Sequence, residues 1–447
     1  MMDKRIGFSA YIAIGLMLFA LFFGAGNLIF PAFLGQEAGD HVWPAIIGFL
    51  ITGTGLPFLG ILAIGLSGKE DLQSLASRVH PIYGLIFTIV LYLTIGPLFA
   101  LPRTGTVSFE VGVAPFLEAD QMKMGLAIFT AVFFGVTLWL SLSPSKIVDR
   151  VGKILTPILL AVILVLIAAS IFKPMGTQTA ATGKYINDSF ISGFLEGYMT
   201  MDALAALVFG IIVVNAVKSV GAKTRKEVAV MCTKTGLIAI GLLAFIYVFI
   251  ALIGAQSVDE LGMQANGSPV LSGAATFYFG SFGKVLLAAI VFLACLTTSI
   301  GLVTACASYF NKLLPRINYK TFVVIFAVFG GLVANIGLDK IISYSVPVLM
   351  AVYPLTVVLV LLTFLNGLIG GRRVVYVTTV LFTAVISITE FCKALEINLG
   401  PIDTFFANYL PFYDISMGWV VMGGIGLVVG WIIALLTKPS VKPDFND

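Results

Sequence analysis

Residues 22–37 read Phe-Phe-Gly-Ala-Gly-Asn-Leu-Ile-Phe-Pro-Ala-Phe-Leu-Gly-Gln-Glu. They are the second half of a hydrophobic segment long enough to cross a bilayer, and Gly24, Gly26, Asn27 and Pro31 puncture it at mid-depth. In hydrocarbon every backbone N–H and C=O must be satisfied internally. Irregular backbone is therefore tolerated only against protein or a water-filled cavity. A plain lipid-facing helix is excluded. Broken helices of this kind hold substrate and coupling ion near the midplane of secondary transporters. The break thus points to Gly24, Ala25, Gly26 and Asn27 as the binding site of a carrier, the alternative being tight helix packing through small residues.

The rest of the chain agrees with a membrane protein. It is 59% hydrophobic, 11% charged and has a mean hydropathy of +1.06, whereas a soluble domain carries about 25% charged residues. Segments near the spanning length of roughly 20 residues are read at 8–36, 42–66, 82–103, 124–143, 151–172, 190–216, 232–254, 282–311, 321–337, 341–366, 374–391 and 415–437. The expectation is an all-α polytopic protein with about twelve spans. The first segment has no small-residue cleavage site and is expected to stay in place as a span.

Basic residues orient the chain. With both termini on the cytoplasmic side, about 19 Lys and Arg fall inside and about 7 outside. The inner clusters include Lys4/Arg5, Lys146/Arg150/Lys153, Lys218/Lys223/Arg225/Lys226, Lys312/Arg316/Lys320 and Arg372/Arg373. These charges are spread over short loops, which argues against a nucleic-acid surface.

A second interruption, Glu196-Gly-Tyr-Met-Thr-Met-Asp202, lies at mid-depth in the sixth segment, five spans after the first. A repeat with an odd number of crossings is inverted in its second copy, and paired interruptions point to an inverted-repeat transporter site. The expected units are residues 1–172, 190–366 and 374–437: two repeats and two additional helices. The polar stretch 255–281 keeps Leu261, Val270, Leu271 and Phe277, so it reads as a lid-like or re-entrant loop rather than a disordered one.

Four features bear on chemistry. Unwinding at Gly24–Asn27 leaves N–H groups that suit a carboxylate and carbonyls around Ala20 to Phe23 that suit an ammonium or a monovalent cation. In the eighth segment, Thr297-Thr298-Ser299 sets three hydroxyls in an apolar span, either oxygen ligands without a carboxylate, which suit a monovalent ion, or hydroxyls bonded back to their own helix. Asp202 either caps the second half of the sixth segment through the helix dipole or contacts substrate. Lys153 either snorkels at the interface or replaces a cation. Cys232, Cys295, Cys306 and Cys392 lack ligand spacing and read as packing residues, and His41 and His80 sit near segment ends. No Walker, HExxH, Gly-x-Ser-x-Gly or potassium-filter motif occurs, so an enzyme is not expected. A channel would need a continuous polar stripe, whereas the polar groups gather at two breaks and one hydroxyl cluster.

Phe22-Phe-Gly-Ala-Gly-Asn-Leu-Ile-Phe-Pro31, Gly35-Gln-Glu-Ala-Gly39, Thr94-Ile-Gly-Pro97, Pro102-Arg-Thr-Gly105 and Glu196-Gly-Tyr-Met-Thr-Met-Asp-Ala-Leu204 resemble the signatures of the bacterial branched-chain amino acid:cation symporters (the BrnQ-type, or LIVCS, family). The likeness runs through essentially the whole chain. It implies a LeuT-type five-plus-five inverted repeat with broken helices 1 and 6, and cation-driven uptake of leucine, isoleucine and valine across the bacterial plasma membrane. It implies no cofactor beyond a coupling ion: sodium, with a proton or an exchange of other neutral amino acids as the alternatives. By the same resemblance the N–H groups of Ala25 and Gly26 take the carboxylate. Carbonyls near Glu196, Gly197 and Tyr198 take the ammonium, with Met199 and Thr200 beside them. Leu296-Thr-Thr-Ser-Ile300 is similar to a sodium-site motif, giving Thr297 and Thr298 with the carbonyls of Ala20, Phe23 and Ala294. The oligomeric state is left open.

Overall fold

The computed structural model describes residues 7–67, 71–143, 146 and 148–437. Lys4 and Arg5, two of the charges that orient the chain, lie outside the described residues. Ten helical stretches are long and apolar enough to cross a membrane, and the shorter apolar helices Phe8–Phe22 and Tyr319–Ala334 complete the set. One stretch, Ala25–Leu66, combines the outer half of span 1 with the whole of span 2. The twelve expected spans are thereby accounted for.

Span 1 consists of Phe8–Phe22 and Ala25–Ala38, parted at Phe23-Gly24. Span 6 consists of Ser189–Glu196 and Asp202–Ser219, joined by a tight turn, Gly197–Thr200, and by Met201 in the left-handed region at φ 66°. A non-glycine residue there is strained and persists only where its surroundings hold it. Wider helical turns at Ile51–Gly55, Thr94–Leu98 and Val148–Leu155 interrupt spans 2, 3 and 5. In span 3 the turn carries Gly96 and Pro97, and the helix resumes over Ala100–Gly112. Pro97 lacks an N–H, so the α pattern cannot pass through it unbroken.

Span 6 is the centre of the bundle. Of its most apolar window 94% is buried, against 28% for span 4 (Met122–Ser141) and span 12 (Gly418–Leu436), which present apolar faces outward. Spans 10 (Leu338–Leu365) and 11 (Arg373–Ala394) pack together, and span 12 joins the bundle mainly through span 11.

The stretch 255–281 is helical rather than irregular. It forms Val258–Leu261 and Gly267–Phe279, and the second helix packs on the outer half of span 1 and on span 8, Ser281–Leu313. It covers the outer half of span 1 in a lid-like position, with Val270 and Leu271 buried. On the opposite face, Asp71 at the start of Leu72–Ala76 pairs with Lys312 at the end of span 8, 2.5 Å away. Burial pushes the Asp71 carboxyl up, but hydrogen bonds from Lys312 and Ser74 outweigh it, holding the group below its ordinary value.

Small residues set the closest contacts. A Cβ on Gly35 would sit 2.0 Å from the Ala251 carbonyl oxygen, and one on Gly254 would sit 2.1 Å from that of Ala32. The outer half of span 1 and span 7 (Arg225–Ala255) therefore touch backbone to backbone, as small residues permit in membranes. Gly35→Ala should destabilise the protein by roughly 1–3 kcal/mol through overpacking. Gly135→Ala is the control, since nothing lies within 4 Å of its added methyl. The thermal midpoints of the two purified variants check this: Gly35→Ala falls and Gly135→Ala does not.

Candidate functional site

The two breaks face each other across a nearly closed cavity of about 20 Å³, room for about one water. From span 1 it is lined by Gly24, Ala25, Gly26 and Asn27, and from span 6 by Thr200, Met201 and Asp202. Spans 3 and 8 add Arg103, Thr104, Thr298 and Leu302. Leu21, Phe22, Ile95, Ala100 and Ala205 complete an apolar wall.

Asn27 is the hub. Its Oδ1 accepts from the Gly24 N–H at 3.0 Å, which caps the outer half-helix. Its Nδ2 donates to Asp202 Oδ2 at 2.5 Å and to the Tyr247 hydroxyl. Tyr247, from span 7, donates to the same Asp202 oxygen at 3.0 Å. The triangle ties both breaks to span 7, and all three residues are buried. Asp202 opens the second half of span 6, where the dipole favours an acid, so the capping reading and the cavity-lining reading describe one residue.

Gly26 owes its identity to space rather than to backbone freedom, because its φ is not positive. A Cβ there would meet Arg103 Nη2 at 2.8 Å and the Phe30 ring at 3.0 Å. A Cβ on Gly24 would meet Thr298 Oγ1 at 2.9 Å.

The residues expected from span 6 separate. Thr200 lines the cavity. Tyr198 stacks on Tyr353 with centroids 4.2 Å apart. Gly197 lies against span 2, where its Cβ would overlap Thr52. The Glu196 side chain turns away, to Lys184 at 2.7 Å. Burial alone would push the Lys184 ammonium down, but Glu196, with Glu37 behind it, holds the group above its ordinary value. The turn's carbonyls are engaged: Gly197 accepts from the Thr200 hydroxyl at 2.9 Å, and Tyr198 from the Met201 N–H at 3.0 Å. Thr200 thus keeps this break a compact turn rather than an unwound strand. The Met199 and Thr200 carbonyls accept from Arg103 Nη1 and Nη2, at 2.8 and 3.2 Å.

The hydroxyl cluster meets span 1 as its spacing requires. Thr297 Oγ1 bonds to the Ala20 carbonyl at 3.0 Å and to the Ala294 carbonyl at 2.9 Å, and Thr298 Oγ1 reaches Ala20 at 3.2 Å. Phe23 ends the inner half-helix, its N–H on the Phe19 carbonyl at 2.8 Å and its own ψ of 88° turning it out of the helix. Thr297 is fully buried, whereas Thr298 also lines the cavity between the breaks. Ser299 instead pairs with Thr137 of span 4 at 3.1 Å. Lys153 is exposed and pairs with Asp149 one turn away at 2.6 Å.

A family profile described as "Branched-chain amino acid transport protein" matches residues 8–437. The chain belongs to that family. It is a membrane transporter and not an enzyme. It is 50% identical to branched-chain amino acid permease BrnQ of Bacillus subtilis over 440 residues, covering 98% of this chain and 100% of that one. Permease BraB of the same organism is 52% identical over 429 residues, 96% of each chain. A branched-chain amino acid transport system 2 carrier protein of Pseudomonas aeruginosa is 43% identical, with 96% and 97% covered. Among solved structures, the nucleobase-cation-symport-1 family transporter MHP1, closed with bromovinylhydantoin bound, aligns at TM-score 0.63 and 14% identity, covering 95% of this chain and 92% of its own. A Na⁺-coupled sialic acid symporter aligns at TM-score 0.61 and 14% identity, with 97% and 91% covered. At that identity the likeness shows the shared architecture, the LeuT-type fold.

The residue that sequence reasoning missed is Arg103. The expected third span ended at 103, which made it an interfacial arginine. The observed helix runs to Gly112 beyond the turn at Thr94–Leu98, which places Arg103 at mid-depth and only 4% exposed. Gly96-Pro97 inside an apolar run was the available signal that the span continues through a bulge. Tyr247 carried no such signal, being one aromatic among many in span 7.

Proposed function

We propose that this transporter carries leucine, isoleucine and valine across the bacterial plasma membrane by alternating access, driven by sodium. The observation that carries the reading is the pair of broken helices facing one apolar-walled cavity. Ala25 and Gly26, at the start of a half-helix, offer N–H groups to a carboxylate. Leu21, Phe22, Ile95, Ala100 and Leu302 suit an aliphatic side chain. The relatives' names support the substrate class. The cavity is too small for an amino acid, so entry requires the lid or the opposite face to part.

Sodium is the favoured ion because Thr297, Thr298 and the Ala20 carbonyl already converge within hydrogen-bond distance. Ala294 and Phe23 supply further carbonyl oxygens, and a neutral oxygen set suits a monovalent ion. The charge asymmetry of the loops supports cytoplasmic termini. The two-repeat division at 1–172 and 190–366, with 374–437 appended, accords with breaks in spans 1 and 6. Leucine uptake into proteoliposomes under imposed sodium or proton gradients tests the coupling; uptake driven by protons without sodium would select the alternative.

Leucine, isoleucine and valine should compete with one another for uptake. One methylene in an apolar pocket is worth only about 1–3 kcal/mol, so each should inhibit within a range of about 100-fold. Glutamate and lysine should inhibit far less. Equal inhibition by lysine and leucine would refute the apolar side-chain pocket.

A further inference from the structure

Among the described residues, Arg103 is the only basic group lining the cavity between the breaks, and Asp202 the only acidic one. They form no ion pair with each other among the described residues, since Asp202 is held by the neutral donors Asn27 and Tyr247. The guanidinium is anchored by two carbonyls through Nη1 and Nη2, while its Nε, buried, has no hydrogen-bond partner. Nη2 lies against Gly26, at the start of the outer half-helix. The Phe30 ring, 5.4 Å from Cζ, walls off the remaining side. A buried cation whose nearby carboxylate is not hydrogen-bonded to it is costly. This one carries an unused donor, on a rigid fork shaped for carboxylate, beside a helix N-terminus that also favours negative charge.

From this arrangement, and resting on the transport reading above, we infer that Arg103 is a substrate-binding residue. It takes the carboxylate of the amino acid together with the Ala25 and Gly26 N–H groups. The Met199 and Thr200 carbonyls aim the guanidinium, so the turn of span 6 positions the arginine of span 3 beside the N–H groups of span 1. The consequence is a site selective for a carboxylate at one pole, using a fixed positive charge as well as backbone dipoles.

The rival role is a strut, with Arg103 merely pinning the span 6 turn. Two fragments of leucine separate these roles. 4-Methylpentanoate keeps the carboxylate and lacks the amine, and 3-methylbutylamine keeps the amine and lacks the carboxylate. Each is titrated against labelled leucine on purified full-length protein, wild type, Arg103→Gln and Arg103→Lys. Loss of one charge-assisted contact should weaken 4-methylpentanoate in Arg103→Gln by about 30-fold or more. The amine should change by less than about threefold. Arg103→Lys, which keeps the charge but not the fork, should fall between on the carboxylate arm. Equal weakening of both fragments, or no change for 4-methylpentanoate, would overturn the inference. Should Arg103→Gln fail to fold, as judged by size-exclusion profile, Arg103→Lys supplies the same comparison. Wild-type protein that binds no branched-chain amino acid would instead defeat the transport reading, independently of Arg103.

Discussion

Gly26→Val should leave the transporter folded in the membrane and abolish leucine binding. The added Cβ would sit 2.8 Å from Arg103 Nη2 and 3.0 Å from the Phe30 ring. Both are ends of side chains, so the bundle need not come apart. The guanidinium must move, and with it the Met199 and Thr200 carbonyls that it holds. The remaining branches would stand over the N–H groups offered to the carboxylate. Displacing a charge-assisted contact and blocking a backbone donor together should cost at least about 100-fold in affinity. Equilibrium binding of labelled leucine to purified protein, beside a size-exclusion profile, checks both halves. Wild-type affinity would remove Gly26 from the site.

The other large effect concerns the ion. Thr297 is fully buried and bonded to Ala20 and Ala294, whereas Thr298 shares the cavity wall with Gly24. The two variants should therefore differ. Thr297→Ala removes one neutral ligand oxygen and should raise the sodium concentration for half-maximal uptake by about tenfold. Apparent leucine affinity should fall most at low sodium, because the linkage between ion and substrate is reciprocal, and should recover at saturating sodium. Thr298→Ala should shift sodium dependence similarly but keep a residual leucine defect at saturating sodium. Uptake measured across a matrix of sodium and leucine concentrations distinguishes them. Unchanged sodium dependence in Thr297→Ala would defeat the sodium assignment. Lys153 is a poor substitute for the ion in this arrangement, since it faces outward to Asp149.

What the sequence discloses here depends on how local the signal is. Gly24-Ala25-Gly26-Asn27 announces its break because two glycines and an amide in a hydrophobic run have no plain-helix explanation. Thr297 and Thr298 stand out as adjacent hydroxyls in an apolar span, but a bond back to the same helix, as Thr297 makes to Ala294, accounts for such hydroxyls equally well. Glycine at 26 is legible as a requirement, but its cause is not: the reason lies in Arg103, 77 positions away in the chain. Glu196 and Lys184 meet through a loop that hydropathy does not describe, which draws the acid out of the break and onto the lid face. Thr200 folds the second break into a turn by bonding the Gly197 carbonyl, a hydroxyl contact that composition cannot distinguish from any other threonine. Arg103 was lost to a boundary error, because a span that bulges at Gly96-Pro97 and continues looks, by hydropathy, like a span that ends.

The backbone contact between the outer half of span 1 and span 7 has a mechanical consequence. Gly35 against Ala251 and Gly254 against Ala32 leave no side chains between the helices to slide or shear. The inner half of span 1 also packs on span 7, with Gly15 against the Ile238 side chain, and on span 5, with Gly152 seated on the Ala13 carbonyl. The outer arm thus meets span 7 backbone to backbone while the inner arm meets it through side chains, with a break between them at Phe23-Gly24. The outer arm, 14 residues long, reaches about 21 Å at 1.5 Å per residue. A tilt of about 10° at that joint swings its tip by about 4 Å and draws the outer end of span 7 with it. Stiff arms on one soft pivot convert a small adjustment around the ligand into a displacement wide enough to matter at the surface.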